Sequence, residues 1–235
     1  MATNAARHSL FAFLCILALT GPCVVRSAMV LHGYADKDCT KRFSTTHAVT
    51  TCLPADTADI AKGVHSGRIN CKSGVISEYS DTACSTTIGT GYSFSVGACQ
   101  PSADAQTYIK VETCDDNSPL ERVTTGGWCM ETYEKAGCTG EIFGYSCTGP
   151  ADSSCFQFSS GVSMKINCTG RRLYGYSSDT CKGDPLISNE ITSAVGECSN
   201  RAKTYSCGAA FSSAGGFGGT AIALVLFAVV LSVLL

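Results

Sequence analysis

The chain has 235 residues, of which 15% are charged, and its formal net charge at pH 7 is −2. Removal of both ends, argued below, would take away Arg7 and Arg26 and leave fifteen basic against nineteen acidic residues, a net charge of −4. This mildly acidic balance argues against nucleic-acid binding and against attraction to anionic membrane surfaces, since both need an excess of Lys and Arg.

The N-terminus has the pattern of a secretory signal peptide. Basic Arg7 and His8 precede an apolar run of ten residues, 10–19 (LFAFLCILAL), and such runs are usually about 7–15 residues long. The run is too short to span a membrane, which takes about 20 apolar residues. Residues 25–27 (VRS) place small or apolar side chains at both recognition positions for cleavage. We therefore expect residues 1–27 to form a signal helix that is removed.

Cysteine is the most informative residue type in the remaining chain. Fourteen cysteines stay after the signal peptide is lost, and an even number in an oxidising compartment predicts up to seven disulfides. Zinc is the alternative, but the chain has no C-x-x-C knuckle, which structural zinc sites usually have. We expect no metal and no cofactor. The predicted half-cystines are Cys39, Cys52, Cys71, Cys84, Cys99, Cys114, Cys129, Cys138, Cys147, Cys155, Cys168, Cys181, Cys198 and Cys207.

A tyrosine stands five residues before a cysteine at four places, and each such motif opens a unit with two further cysteines. The sequences are YADKDC, YSDTAC, YEKAGC and YSSDTC. A ring packed over a disulfide would explain the fixed spacing, whereas stacking on sugar would explain the aromatic residues themselves. We favour the packing role for these tyrosines, which are Tyr34, Tyr79, Tyr133 and Tyr176.

The four units group in two pairs. Tyr34 and Tyr133 are 99 residues apart, and Tyr79 and Tyr176 are 97 apart. We therefore predict two homologous repeats, 28–114 and 128–208, each made of two half-repeats, with a polar linker at 115–127. A half-repeat has three cysteines, so at least one bridge in each repeat must join its two halves. The remaining pair, Cys129 and Cys147, has no counterpart in the first repeat, and we predict that these two cysteines bond to each other.

The local patterns between the cysteines are those of β-strands. Segments such as 107–111 (TYIKV) and 162–166 (VSMKI) mix β-branched, aromatic and polar residues. Helical periodicity is absent from the mature region, and 55–64 (ADTADIAKGV) is at most one or two turns. We predict a small, all-β, disulfide-rich fold, in which each bridge contributes about 2–4 kcal/mol.

The C-terminus has the pattern of a glycosylphosphatidylinositol (GPI) signal. Residues 221–235 (AIALVLFAVVLSVLL) are uncharged and as a helix would span about 22 Å of a bilayer core about 30 Å thick. The preceding segment, 209–220, supplies a stalk, small residues and a spacer, as GPI attachment requires. Ser213 or Ser212 is the expected lipid attachment residue. A single membrane-spanning helix without a cytoplasmic tail is the alternative.

Candidate catalytic and calcium-binding groups are few. The three remaining histidines, His32, His47 and His65, all lie in the first repeat, and no G-x-S-x-G motif is present. A site that uses them would not be shared by the repeated unit, so we expect no enzymatic activity. Asp36/Asp38 and Asp115/Asp116 lack the spacing of a calcium loop and are expected in solvated turns.

Two further residues are candidate surface sites. Trp128 is the only tryptophan, and it is expected either to contact a ligand or to cover the junction beside Cys129. Asn167 lies in the sequon Asn-Cys-Thr and is a candidate for N-glycosylation, although its neighbour Cys168 is a predicted half-cystine, whose rapid closure would compete with modification.

The half-repeat resembles units of small, cysteine-rich, GPI-anchored surface proteins of amoebae and other protists, of which ponticulin-like proteins are an example. The resemblance rests on YSDTAC at 79–84 and VGAC at 96–99 and covers only these short motifs. It implies a surface protein on the extracellular side. Actin binding is not implied, because no residue of the motif indicates it.

Together these features predict a non-enzymatic protein on the outer face of the plasma membrane, with an adhesion, recognition or surface-coat role. Its expected partners are the membrane, through the GPI lipid, and an extracellular protein or carbohydrate ligand. The alternative is a membrane-displayed enzyme or protease inhibitor stabilised by the disulfides.

Overall fold

The computed structural model describes residues 28–208, apart from 56, 103, 104, 125, 151, 153, 192 and 193. The predicted signal peptide, stalk, lipid attachment site and apolar tail therefore lie outside the described residues. Within the described part, no helix has the length and hydrophobicity needed to cross a membrane. The described part is predominantly β-strand and carries seven disulfides, so the predicted small, all-β, disulfide-rich class is confirmed.

The described secondary structure consists of one short helix and sixteen strands. In chain order these are β1 (Ala28–Tyr34), β2 (Arg42–Val49), β3 (Leu53–Pro54), α1 (Thr57–Ala61), β4 (Ser66–Asn70), β5 (Val75–Tyr79), β6 (Thr87–Ser93), β7 (Cys99–Pro101), β8 (Tyr108–Asp115), β9 (Trp128–Lys135), β10 (Thr139–Thr148), β11 (Phe156–Ser159), β12 (Val162–Asn167), β13 (Arg172–Tyr176), β14 (Ile187–Glu190), β15 (Cys198–Ser199) and β16 (Ala202–Cys207).

Eight of these strands form one large antiparallel sheet to which both halves of the chain contribute. Its order is β15-β16-β9-β10-β2-β1-β8-β7, so strands from the second half (residues 128–208) fill one side and strands from the first half (28–115) the other. The halves meet where β2 and β10 pair antiparallel, with Thr46 opposite Ser146. Two like edges paired in this way resemble an isologous dimer interface, here within one chain.

Each half also has a four-stranded sheet that covers the inner face of its part of the large sheet. The orders are β3-β4-β5-β6 and β11-β12-β13-β14. Side chains alternate in and out along each strand, and the inward ones form one apolar cluster per half. The first cluster contains Met29, Leu31, Ile69, Ile76, Phe94, Ile109 and Val111. The second contains Trp128, Met130, Phe156, Ile166, Leu173, Ile191 and Ala202, and Ala35 and Phe43 of the first half join it.

The disulfides follow the same order of pairing in the two halves. In the first half they join Cys39–Cys99, Cys52–Cys84 and Cys71–Cys114, and in the second half Cys138–Cys198, Cys155–Cys181 and Cys168–Cys207. All six join the first cysteine triplet of a half to the second triplet, where the sequence required only one such bridge per half. The seventh bridge is Cys129–Cys147, the pairing predicted from the sequence.

The Y-x4-C motifs are the hairpin turns that follow β1, β5, β9 and β13. At each turn the cysteine adopts a positive φ, between 49° and 53°. In the first turn the carboxylate of Asp36 accepts hydrogen bonds from the backbone amides of Thr40 and Lys41. In the second turn Asp81 accepts bonds from the amides of Ala83, Ser85 and Thr86. In these two turns the aspartate two positions after the tyrosine caps the returning strand.

Candidate binding site

Trp128 belongs to the core and not to a surface site. Its side chain is 2% exposed, and its Nε1 donates a hydrogen bond to Thr204 Oγ1 at 3.1 Å. Trp128 pairs with Cys207 in the large sheet, as Met29 pairs with Cys114 in the first half. Because the side chain is buried, Trp128 covers the junction beside Cys129, and the alternative prediction that it contacts a ligand is wrong.

His32 and His47 have different hydrogen-bond partners. His32 and His47 stand on the adjacent strands β1 and β2, and their Nδ1 atoms meet Thr45 Oγ1 at 3.1 Å and the carbonyl oxygen of Glu121 at 2.8 Å, respectively. Burial, followed by the positive charge of Arg42, lowers the pKa of His32. Within the described part of the chain, the hydrogen bonds of these two rings thus go to a hydroxyl and to a carbonyl oxygen.

Asp115 and Asp116 each accept hydrogen bonds from other groups of the fold. Asp115 accepts hydrogen bonds from the amide of Asn117 and from Ser118 Oγ, and Asp116 accepts one from Thr50 Oγ1. Among the described residues, no group of three or more His, Cys, Asp or Glu side chains is placed to hold a metal ion.

Asn167 is also a turn residue. Its Oδ1 accepts a hydrogen bond from the amide of Gly170 at 2.8 Å, and Asn70 makes the corresponding bond to the amide of Ser73 in the first half. The side chain is half-buried. Asn167 therefore has a structural role in this turn whether or not it carries a glycan.

The predicted linker contains a segment, residues 121–123, that crosses the outer face of the large sheet and is called the strap here. The Arg122 guanidinium lies 3.8 Å from the ring centroid of Tyr205 and 3.8 Å from the carboxylate of Glu131. The Tyr205 hydroxyl donates to the carbonyl oxygen of Val123 at 2.5 Å, and burial raises the pKa of Tyr205 to about 12. The strap therefore packs firmly against the sheet.

The best-formed concave site is a cavity between the two halves, called the junction cavity here. It lies on the inner face of the large sheet, beside the central β2–β10 pair, and has a volume of about 100 Å³. One wall comes from β3, β4 and β5 of the first half, and another comes from β9 and β10 of the second half. Its apolar lining includes Ala48, Leu53, Val64, Ile69, Ile76 and Phe143.

Three charged residues are among those that line the junction cavity. Arg201 donates hydrogen bonds to the carbonyl oxygens of Ala55 and Pro54, at 3.1 and 3.0 Å, and so joins the second half to the first. Arg68 is exposed and has no ion pair with any residue that the structure describes. Burial, followed by the neighbouring Asp59 carboxylate, raises the pKa of Glu78.

A second cleft, of about 420 Å³, lies beside the same central strands but is lined by Arg42 and Phe43 of the first half and by Pro150, Ser154 and Phe156 of the second. It occurs where the small sheet of the second half faces β2. The two clefts thus have corresponding positions in the two halves but different linings, and the smaller is the more apolar.

No family model, no curated protein and no solved structure matches this chain. The junction cavity was not foreseen from the sequence. Its residues come from strands that are distant in the chain, and nothing in a single short segment such as 66–69 (SGRI) distinguishes a cavity wall from an ordinary half-buried strand.

Proposed function

We propose that this chain is a non-enzymatic protein of the outer cell surface, held by a GPI lipid at Ser213 or Ser212, with a role in adhesion, recognition or coat formation. The observation that carries the proposal is the set of seven disulfides. Such a dense set is typical of small secreted domains and forms in an oxidising compartment. The signal peptide and the uncharged C-terminal tail agree with that compartment.

The two halves are proposed to be homologous repeats that arose by duplication. In support, Cys39–Cys99 and Cys138–Cys198 both span 60 residues, and the strand order of one half mirrors the other. We keep the similarity to ponticulin-like surface proteins as part of this proposal. Two related units in a fixed orientation would suit contact with a repetitive surface, where two sites act together.

Enzymatic release from cells tests the anchor. Phosphatidylinositol-specific phospholipase C should release the protein into the medium, and a variant that lacks residues 221–235 should be secreted without treatment. Mass spectrometry of the released protein should place the lipid on Ser213 or Ser212 and should show whether Asn167 carries a glycan. Retention on treated cells with Leu235 still present would identify a membrane-spanning helix and reject the GPI anchor.

Binding and hydrolysis assays test the non-enzymatic role. Beads coated with the mature protein should retain specific extracellular proteins or carbohydrates, whereas beads coated with reduced and alkylated protein should not. Hydrolysis of a member of a substrate panel would overturn the proposal if His32→Ala, His47→Ala or His65→Ala abolished that activity.

A further inference from the structure

We propose that the junction cavity binds a small, uncharged aromatic molecule with a single ring, such as toluene. This class of ligand would make the proposed recognition function, on which the inference rests, chemically specific. The matching part of the second half indicates what the cavity accepts, because there the protein's own side chains supply such a ring.

The strands that wall the junction cavity have direct counterparts in the second half. Strands β3 and β11 each begin directly after the middle cysteine of the first triplet of their half. Leu53 pairs with Gly67 across β3 and β4. Phe156 pairs with Met164 across β11 and β12 in the same way. Positions along these strands can therefore be matched residue by residue between the two halves.

The second half fills with side chains a space that the first half leaves open. Phe158 packs against the second apolar cluster, with its ring centroid 4.9 Å from that of Phe43, and Met164 packs against the same cluster. The corresponding positions of the first half, two residues after the start of β3 and in the middle of the β3–β4 pairing, carry Ala55 and Gly67. Both of these residues line the junction cavity. The cavity is therefore the place where an aromatic ring and a methionine side chain are missing.

The ring against which Phe158 packs also has a counterpart at the cavity. Thr46 and Ser146 lie opposite each other at the centre of the β2–β10 pair, so the residues three positions before them correspond. These residues are Phe43 and Phe143, and Phe143 lines the junction cavity. A ligand ring in the cavity would meet Phe143 as Phe158 meets Phe43, and aromatic pairs at such distances are favourable beyond the area that they bury.

The volume of the cavity limits the ligand to one ring. An engineered apolar cavity of about 150 Å³ holds benzene, so a volume of about 100 Å³ accepts one ring at most. Much of the remaining lining is aliphatic and includes Val64, Ile69 and Ile76. A ring buried against these side chains gains affinity from the removal of apolar surface from water and needs no hydrogen bond.

The charged residues at the lining favour a ligand without charge. Glu78 lies on the cavity-facing side of β5, opposite Gly67, and would repel an anion. Arg201, which donates to the carbonyl oxygens of Pro54 and Ala55, would repel a cation. The two opposite charges therefore favour neither sign, and an ion moved into apolar surroundings also loses its hydration. An uncharged ring avoids both costs.

Titration of the purified mature protein, with its disulfides intact, tests the proposal. The probes are toluene, the two-ring compound indole, benzoate and benzylamine, each followed by two-dimensional amide NMR. We expect toluene to bind with a dissociation constant in the millimolar range, because burial of one ring is its main source of affinity. Its shifts should be confined to residues around the cavity, and the other three probes should bind more weakly. Absence of toluene binding, or equally tight binding of benzoate, benzylamine or indole, would overturn the proposal.

Two neighbouring substitutions compare the cavity side of β4 with its other side. Gly67→Met introduces the residue that the second half has at this position, and a Cβ there meets only the Ser77 carbonyl oxygen, at 3.7 Å. Arg68→Lys likewise introduces the second-half residue, which is Lys165, but consecutive side chains of a strand point to opposite faces. We therefore expect Gly67→Met to abolish toluene binding and Arg68→Lys to leave it unchanged. Equal toluene affinities of the two variants would contradict the site.

A third variant introduces the missing ring itself. Ala55→Phe copies Phe158 and should both abolish toluene binding and raise the melting temperature, because the new ring occupies the cavity. A folded Ala55→Phe chain, with a dispersed amide spectrum, that still binds toluene at the cavity would reject the inference. If toluene fails to bind the natural protein while beads coated with that protein still retain an extracellular ligand, only this inference falls and the proposed function stands.

Discussion

Thr46 Oγ1 and Ser146 Oγ lie 3.2 Å apart across the central strand pair of the large sheet. Both side chains are buried, so this hydroxyl pair is a direct bond between the first and second halves. The halves also share the backbone hydrogen bonds of β2 with β10 over residues 44–48 and 144–148. A chain with such a seam is expected to unfold as one unit rather than as two independent domains.

Loss of the Arg201 side chain should weaken this seam. Arg201→Ala removes two hydrogen bonds from a charged group to the carbonyl oxygens of Ala55 and Pro54, and we expect the free energy of unfolding to fall by about 2 kcal/mol. Guanidinium unfolding followed by fluorescence of Trp128 measures the change. The control is Lys165→Ala, an exposed position, which should change the value by less than about 0.5 kcal/mol. Equal effects of the two substitutions would contradict the role given to Arg201.

The Asp81 turn should make stability dependent on pH in the acidic range. Burial raises the pKa of Asp81, but hydrogen bonds from Thr86, Ser85 and Ala83 outweigh that effect and lower it to about 2, from an ordinary value of 3.8. A group with a lowered folded-state pKa stabilises the protein above its unfolded pKa and loses that contribution as the pH falls through the folded one. The contribution of Asp81 should therefore be full above about pH 5 and disappear towards pH 2.

Asp81→Asn tests this dependence. The variant should be less stable than the natural protein at pH 7, and the difference should shrink as the pH falls from 5 to 2. Urea unfolding at each pH gives the comparison, with Asp38→Asn as the control, because Asp38 is an exposed carboxylate of the first Y-x4-C turn. A difference that stays constant over this range would show that the turn amides do not depend on the charge of Asp81.

The sequence predicted those features that depend on local spacing. The Y-x4-C motif and the even cysteine count indicated small disulfide-rich β units, and the lack of counterparts for Cys129 and Cys147 gave their pairing. The β2–β10 pairing could not be predicted, because residues 44–48 (STTHA) look like any strand with one solvated face. Trp128 was ambiguous for a related reason. Its first-half counterpart is Met29, and only the strand register reveals that two different side chains fill equivalent core positions.

Alanine substitutions at two glycines distinguish the energetic cost of a strained backbone conformation from the cost of a steric clash. Gly74 and Gly137 have similar positive φ values, 64° and 74°. A Cβ at Gly137 would meet nothing within 4 Å, whereas one at Gly74 would overlap the carbonyl oxygen of Phe94. Gly137→Ala should therefore cost about 1 kcal/mol of conformational strain, and Gly74→Ala should cost at least about 2 kcal/mol more. Thermal unfolding of the two variants gives the difference, and similar melting temperatures would contradict it.

The seven disulfides should be reduced in an order set by their accessibility. Cys129 and Cys147 are 1% and 2% exposed, and the strap covers them, with Cys147 Sγ 3.8 Å from the Val123 carbonyl oxygen. Thiol–disulfide exchange requires access of the attacking thiolate to sulfur. Under mild dithiothreitol treatment we therefore expect Cys129–Cys147 to be reduced last and Cys138–Cys198, whose Cys198 is exposed, to be reduced early. Alkylation of the released thiols and peptide mass spectrometry follow the order.

The strap itself can be tested by the same assay. Tyr205→Phe removes the hydrogen bond to Val123, and Arg122→Ala removes the contact of the guanidinium with the Tyr205 ring. Both changes should speed reduction of Cys129–Cys147, because each one loosens the segment that shields it. Reduction of Cys138–Cys198 should proceed at the original rate, since that bridge does not contact the strap. If both bridges were reduced faster together, the substitutions would have destabilised the whole fold, and the shielding role of the strap would be rejected.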